Sequence, residues 1–420
     1  MKLILRFFLL FPISMLFGQT LVLDSLGIEG LKKTKEIYLR KLIQTEVGKP
    51  LDSLKMAEDI TRIIREPAVS HAYYTVVFTT ENHCRVLYTI EENKTLIPSV
   101  DLWSTLDKQF AFHLGVSEYN AFGRGYTTSG FYRRNIFSAY GIILENPNFI
   151  TSSFELKFVG QRHKTLEPIR EGSLESYYEF ERKSAEVVFA HEWNIKNKTG
   201  LGFGGLGEIY QRNRGDMLSN APEYFKTQKL LLSLFHNYEK IDYYYYFRNG
   251  IKNIFAFNFV SGNNFSNQKD FFSFDNSLLY YHRLGKKGNW AGRLNVGVSK
   301  NIITPFPVFF WDNNKNLRGV GNLTRRGNSL WTLNNEYRYT LLELRWLAVQ
   351  GNAFFDVGGL SPVGDSFFKS FNRSNIAAFS GIGIRFIHKY IFKAVLRIDY
   401  GINIGGTPSK GLVFGVGQFF

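Results

Sequence analysis

The feature that most constrains this chain is a hydrophobic period of two. From about residue 100 onward, large apolar side chains recur at alternate positions. Phe154, Leu156 and Phe158 alternate with Glu155 and Lys157, and Phe255, Phe257 and Phe259 with Ala256 and Asn258. Leu294, Val296 and Val298 alternate with Asn295, Gly297 and Ser299, and Leu396, Ile398 and Tyr400 with Arg397, Asp399 and Gly401. An α-helix repeats every 3.6 residues, so period two specifies strands with one greasy and one polar face. Past the first twenty residues, no stretch approaches the ~18 uninterrupted apolar residues of a spanning helix. A soluble sandwich would turn its polar faces to water, whereas a membrane barrel turns them into its lumen. Aromatic residues make up 16% of the chain, with 40 Phe and 23 Tyr, more apolar surface than a core readily hides. A lipid-facing wall displays such surface, and a mean hydropathy of -0.16 fits strands that are only half apolar. About sixteen segments of ~10 residues separated by turns predict a mostly β protein with a sixteen-stranded antiparallel transmembrane β-barrel over residues 96–420.

The N-terminus reads as a signal peptide over residues 1–19. Lys2 and Arg6 form the positive region, Phe7 to Phe17 the apolar core, and Gly18-Gln19 the small-residue exit. Residues 20–95 predict a small α+β domain of order β-α-α-β-β. Leu21-Val22-Leu23 opens it, and Ile37, Leu39, Leu42 and Ile43 mark one helix. Asp52 or Ser53 caps a second, with Leu54, Ala57, Ile60, Ile63 and Ile64 on one face. Glu66-Pro67 stops that helix, and two strands, Tyr73–Thr79 and Cys84–Ile90, follow. Residues 93–99, with Pro98, read as a linker. The lone cysteine, Cys84, excludes an internal disulfide and reads as a buried strand residue.

The formal net charge is +15, and residues 20–95 hold eleven basic and eleven acidic side chains, so the excess in the exported chain belongs to residues 96–420. Basic loops and lumen account for it; anionic lipids and acidic stretches of a client chain are partners for such charge. Nothing resembles a nucleic-acid-binding module. Gly202-Phe203-Gly204-Gly205-Leu206-Gly207 has the letters of a dinucleotide fingerprint but sits in a strand-period run and opens no helix. There is no G-x-S-x-G elbow and no metal-spaced cluster of His, so neither catalysis nor a cofactor is expected.

The longest irregular segment, residues 301–328, contains Pro305, Pro307 and the run Asn316-Leu317-Arg318-Gly319-Val320-Gly321-Asn322. Parity in Ala353–Gly358 aims Phe355 and Val357 at lipid and Asp356 at the lumen. A carboxylate there needs a partner, which a loop Arg318 or a strand neighbour such as Arg338 or Arg397 supplies. The last segment, Gly411–Phe420, places Leu412, Phe414, Val416 and Phe420 on one parity and Gly411, Val413, Gly415 and Gly417 on the other. It reads as a closing strand ending on an interfacial aromatic.

Together these segments resemble the BamA/TamA-type outer-membrane proteins of the bacterial surface-antigen superfamily. Leu317-Arg318-Gly319-Val320 is similar to that family's V-R-G-F/Y loop motif, with Val320 in place of the aromatic. Phe354-x-Asp356-x-Gly358 matches its F-x-D-x-G strand, and Asn335-Glu336-Tyr337-Arg338 lies between them. Leu396–Gly401 and Gly415–Phe420 resemble its last two strands, and Asn120-Ala121-Phe122-Gly123-Arg124-Gly125 its N-x-x-G-x-G turn. The small domain resembles a POTRA domain.

The resemblance implies a lumen lock of Arg318, Gly319, Asp356 and Gly358. Lumen charges at Glu336, Arg338, Arg397 and Asp399 surround it. A weak seam is implied between the first strand, near residues 98–106, and the last, with Gly415, Gly417 and Phe420. It implies a bacterial outer-membrane protein with one POTRA domain in the periplasm. Such a protein assists insertion of outer-membrane proteins or translocation of polypeptides, without enzymatic chemistry. Its expected partners are unfolded outer-membrane protein clients, the lipid bilayer with its anionic lipids, and periplasmic chaperones or accessory subunits. A gated solute channel and a structural or accessory subunit of an assembly complex are the alternatives.

Overall fold

The computed structural model describes residues 21–420 except 105–109, 135, 152, 172–173, 220, 245, 263–269, 301–307, 314, 321–324, 363, 393 and 406–408. The expected signal peptide therefore lies outside the described residues, as do Pro305, Pro307, Gly321 and Asn322 of the long loop.

The first domain is built from β1 (Val22–Glu29), α1 (Glu36–Arg40), α2 (Ser53–Arg65), β2 (Val69–Thr80) and β3 (His83–Glu92). The sheet order is β1-β3-β2, with β3 parallel to β1 and antiparallel to β2. Its core gathers Leu23, Tyr38, Leu39, Met56, Ile63, Cys84, Val86 and Tyr88. Asp52 caps α2, accepting from the amides of Leu54 and Lys55, and Glu66 ends it in an extended conformation before Pro67. Two details differ from the periodicity. The first helix is a single short turn, Glu36–Arg40. The buried face of α2 is Met56, Asp59 and Ile63, while Leu54 is exposed. Asp59 takes the core position because it accepts from the amides of Gln44 at 2.8 Å and Thr45 at 3.0 Å and from the Tyr88 hydroxyl at 3.2 Å. A buried carboxylate with that many donors is stable where an unpaired one would not be.

The barrel opens with β4 (Leu96–Ser104), β5 (Phe110–Ala121), β6 (Tyr126–Arg134) and β7 (Ser138–Asn146). Four long strands follow: β8 (Phe154–Glu171), β9 (Leu174–Asn194), β10 (Asn197–Gly215) and β11 (Tyr224–Tyr244). Then come β12 (Phe247–Gly262), β13 (Phe271–Leu284) and β14 (Gly288–Ser299). A short ribbon, β15 (Phe309–Phe310) with β16 (Arg326–Gly327), belongs to the long loop. The wall resumes as β17 (Ser329–Glu343), β18 (Leu347–Ser361), β19 (Ile376–His388), β20 (Val395–Asn403) and β21 (Lys410–Val416). These strands make one sixteen-stranded antiparallel sheet running without crossover from β4 to β21. Pro98 lies inside β4, opposite Val116, so the connection between the domains is shorter than the expected linker. The first strand is an end of the sheet, where a residue without an N–H is tolerated.

Period two is realised as expected in the wall. Phe158, Phe189, Phe203 and Leu232 are exposed on its outside, while Glu208, Glu336, Arg338, Gln350 and Asp356 are buried within. Among the described residues no backbone ladder joins β21 to β4, the two ends of the sheet.

The closing segment departs from the expected strand. Leu412, Phe414 and Val416 face outward as parity requires, but the strand stops at Val416. Gly417 adopts φ +93° and donates its N–H to Val395 O at 2.7 Å. This left-handed turn swings the chain inward, so Phe419 and Phe420 are buried with Ile241, Leu279, Tyr281 and Ala291 in the lumen. Phe420 is therefore no interfacial anchor: the alternation that aimed it at lipid ends four residues earlier, at Val416.

Candidate functional site in the barrel lumen

The long loop between β14 and β17 folds back into the barrel. Asn316 shapes its tip, accepting from the Asp312 amide at 2.8 Å and donating to Phe310 O at 2.9 Å. Leu317 and Val320 are both buried, in a cluster with Trp311, Leu330, Leu360 and Phe379. Val320, which stands where the resemblance expects an aromatic, thus still anchors the loop by apolar contact.

Gly319 has φ +95° and receives the Asn313 side-chain oxygen on its N–H at 2.8 Å. The tip presses on glycine: a Cβ on Gly401 would meet Arg318 O at 2.8 Å, and one on Gly411 would meet Gly319 Cα at 3.2 Å. Gly358 serves the same close packing, since a Cβ there would lie 2.8 Å from Thr332 Cγ2 and 3.3 Å from Leu317 Cδ1.

Between these contacts Arg318 is fully buried. Its Nε and Nη2 donate to the two oxygens of Asp356 at 2.9 and 3.0 Å, and its backbone N–H donates to Asp356 Oδ2 at 3.1 Å. Nη1 donates to Glu336 and lies 3.9 Å from Asp399. The guanidinium carbon sits 3.7 Å from the Phe354 ring centre and 4.3 Å from that of Phe419. A forked, doubly bonded pair between two aromatic faces fixes both position and plane, which a lysine could not do.

The other expected lumen charges join the same network. Glu336 accepts from Arg338 and lies 2.7 Å from Arg385 Nη2, while Arg397 donates to Asp399 at 3.0 Å. Residue chemistry alone left Arg338 and Arg397 open as partners of Asp356; the structure pairs them with Glu336 and Asp399 instead. Of the network's further members, the motifs single out Phe420 but not Arg385, Arg293 or Phe419. Arg385 was legible, as the charged residue on the small-residue parity of Ile382-Gly383-Ile384-Arg385. Arg338 Nη2 reaches Phe420 O at 3.1 Å, and Arg293 and Arg397 lie over the Phe419 ring at 4.9 and 5.1 Å. Gly415 allows this: a Cβ there would fall 2.8 Å from Arg397 Nε. Gly417 makes the turn that delivers the tail.

At the other end of the barrel, the turn Asn120–Gly125 receives the small domain. Asn120 Oδ1 holds the Gly125 N–H at 2.8 Å, and Asn120 Nδ2 donates to Thr34 at 3.0 Å. Lys35 N–H donates to Gly123 O at 2.8 Å, and Lys33 pairs with Glu118 at 2.6 Å. Tyr38 packs on Gly125, where a Cβ would lie 2.1 Å from its hydroxyl oxygen. That hydroxyl donates to Glu66. Burial, the largest influence, raises the Glu66 carboxyl to about 7. Burial and the neighbouring Glu66 hold the Tyr38 phenol well above its ordinary range.

A sixteen-stranded wall with an apolar exterior, a charged lumen and an inward-folded loop defines a transmembrane barrel of the bacterial outer membrane. An Omp85 superfamily domain matches residues 120–420, and the chain belongs to that superfamily as a BamA/TamA-type member. The membership carries a general role in protein insertion or secretion at the outer membrane, in barrels that work without enzymatic chemistry. In fold it is similar to BamA from Haemophilus ducreyi lacking POTRA domains 1–3, at 14% identity and TM-score 0.59 over 95% of this chain and 84% of that one. CdiB from Acinetobacter baumannii is similar at 13% identity and TM-score 0.60, over 95% of this chain and 74% of that one. CdiB from Escherichia coli gives 12% identity and TM-score 0.50, over 96% and 90% of the two chains. No curated protein matches the sequence.

Proposed function

We propose that this protein inserts β-rich polypeptides into the outer membrane, or passes them across it, through the junction between β4 and β21. The observation that carries the reading is the open end of the sheet. Both strands are short, and no ladder joins them among the described residues. Their exposed edges offer N–H and C=O groups to a client strand. The small domain is read as a POTRA domain standing in the periplasm, and residues 1–19 as the export signal that delivers the chain. The Arg318 network is read as a brace that holds the loop against β18 and β20 while the adjacent junction opens. The loop tip and the Phe419-Phe420 tail occupy the lumen, which counts against an open solute channel.

Reconstitution into liposomes tests this. An unfolded outer-membrane protein client is added, and its folding is followed by protease protection. The expected result is faster client folding than in empty liposomes, abolished by disulfides linking residues 98–104 to residues 411–416. Equal rates with and without the protein would contradict it, leaving a platform role for partner subunits.

A further inference from the structure

The outer wall carries a second ordered feature, on the strands opposite the brace. Backbone pairing places Tyr132 of β6, Tyr140 of β7, Arg162 of β8 and Lys183 of β9 in one outward-facing row. The next outward level holds Arg134 on β6, Lys164 on β8, Glu181 on β9 and Lys226 on β11. The levels on the other side of the tyrosines are apolar: Ile142 and Leu144, Phe158, Val187 and Phe189, Phe203, Leu232. The wall therefore passes from grease to a row in which two tyrosines stand with Arg162 and Lys183, and then to a row with Arg134, Lys164 and Lys226.

The level is set by the membrane. Lys183 and the exposed Trp193 bracket the apolar part of β9. At roughly 3.3 Å per residue and a tilt of ~40°, the ten residue steps from one to the other span about 25 Å, the height of the apolar band of an outer-membrane barrel. Trp193 lies at the end where the small domain docks, beside Ile195, whose carbonyl accepts from Arg65. Lys183 and its β8 neighbours Arg162 and Lys164 thus lie at the far surface, which faces outward if the small domain is periplasmic; in this the inference rests on the proposed orientation.

We infer that Arg162, Lys164 and Lys183, on the neighbouring strands β8 and β9, form the centre of a binding face for a phosphate-bearing lipid of the outward leaflet, with Arg134 and Lys226 at its two sides. Its acyl chains would lie along the apolar levels and its phosphate against the cations. Glu179 and Glu181 hold the site partly neutral. Arg162 donates to Glu181 at 3.0 Å, Lys164 pairs with Glu179 at 3.1 Å, and Lys183 meets Glu181 loosely at 3.5 Å with its side chain 69% exposed. At the centre three cations stand against two carboxylates, and Arg134 and Lys226 add to the excess positive charge on either side, where each basic residue adds to attraction for anionic lipid. The guanidiniums of Arg134 and Arg162 and the flanking tyrosine hydroxyls are suited to phosphate oxygens. Tyr132, whose hydroxyl is 2.9 Å from Ser138 Oγ, stands at the rim of the face.

The test is native mass spectrometry of the full chain in micelles containing phosphatidic acid and phosphatidylcholine. The wild type should retain phosphatidic acid in preference to phosphatidylcholine. The variant R162Q/K164Q/K183Q should retain about tenfold less or lower still, with an unchanged heat-induced shift of the folded barrel on a gel. The variant E179Q/E181Q should retain more than the wild type. Equal retention of phosphatidic acid by all three proteins would overturn the site. Orientation is read separately, by labelling Lys183→Cys on intact cells with a membrane-impermeant maleimide. Labelling is expected. Labelling only after the outer membrane is opened would overturn the outward-leaflet source and the proposed orientation together, and would leave the phosphate-binding result to stand by itself.

Discussion

The guanidinium carbon of Arg318 lies 4.3 Å from the centre of the Phe419 ring. One contact thus joins the tip of the longest loop to the tail that follows the last strand. The loop is held to β18 through Asp356, and the tail is turned in by Gly417. Loop, wall and closing strand therefore share one buried cluster, and a change in any of the three reaches the β4–β21 junction.

Removing the loop cation should be costly. Arg318→Ala leaves Asp356 and Glu336 buried without their central partner, a loss of typically ~3–5 kcal/mol. Arg338, Arg385 and Arg397 remain nearby to offset part of this, so about 3 kcal/mol is expected, read from the urea midpoint in detergent. Arg318→Lys should recover only a minor part, because an ammonium cannot grip both Asp356 oxygens. Wild-type stability and client folding in the alanine variant would remove the brace from the account.

Two glycines with the same backbone sign should respond differently. A Cβ on Gly417 would meet nothing within 4 Å, so Gly417→Ala carries only the left-handed penalty of about 1 kcal/mol. A Cβ on Gly319 would lie 2.9 Å from the backbone carbon of Gly401 and 2.9 Å from Phe379. Gly319→Ala therefore adds a clash that a rigid wall cannot relieve and should cost about 3 kcal/mol. Thermal shifts of equal size would show that the loop tip yields.

The tail aromatic should stabilise by both area and charge contact. Phe419→Ala should cost about 3 kcal/mol. Phe419→Leu keeps most of the apolar contact but loses the cation–π stacking with Arg318, Arg293 and Arg397, for about 1–2 kcal/mol. The leucine variant should also make the 308–328 loop easier to cleave by protease added outside. Unchanged cleavage would uncouple tail and loop.

Docking of the small domain should depend on pH through Glu66. Its docked pKa of about 7 exceeds the ordinary carboxylate value, chiefly through burial. Tyr38 and Lys198 favour its charged form, while Glu192 and Glu145 oppose it. The docked state holds the proton more tightly, so its favourable share is complete below pH ~4.5 and is lost as pH rises toward ~7. Hydrogen exchange at the Lys35 amide, which donates to Gly123, should therefore show protection falling over that window beyond the intrinsic pH trend. Glu66→Gln should flatten the fall. An identical profile in both proteins would assign the docking to other contacts.

Much of this architecture was legible because period two leaves a barrel few choices. The same parity that put Asp356 inside also put Arg397 and Asp399 there, and the resemblance added Glu336 and Arg338. What spacing could not convey was where alternation stops. Gly417 looks like any small residue on the lumen parity, and only its φ turns Phe419 and Phe420 inward. The buried face of α2 escapes the helical period for a related reason. Asp59 is polar by identity but buried by partners distant in sequence, Thr45 and Tyr88, which no helical period announces. Arg293 was hidden similarly, since its contact with Lys315 O at 2.7 Å depends on where the loop lands.

The central claim is that a client strand pairs with the edge opened between β4 and β21. The most direct measurement is disulfide trapping in liposomes, with a single cysteine placed in turn at residues 97 to 103 of β4 and in the last strand of a client stalled during folding. The account predicts cross-links between paired positions at a constant sum of residue numbers, as an antiparallel ladder requires. Cross-links with no register, or none at β4 while the client still folds faster than in empty liposomes, would contradict it.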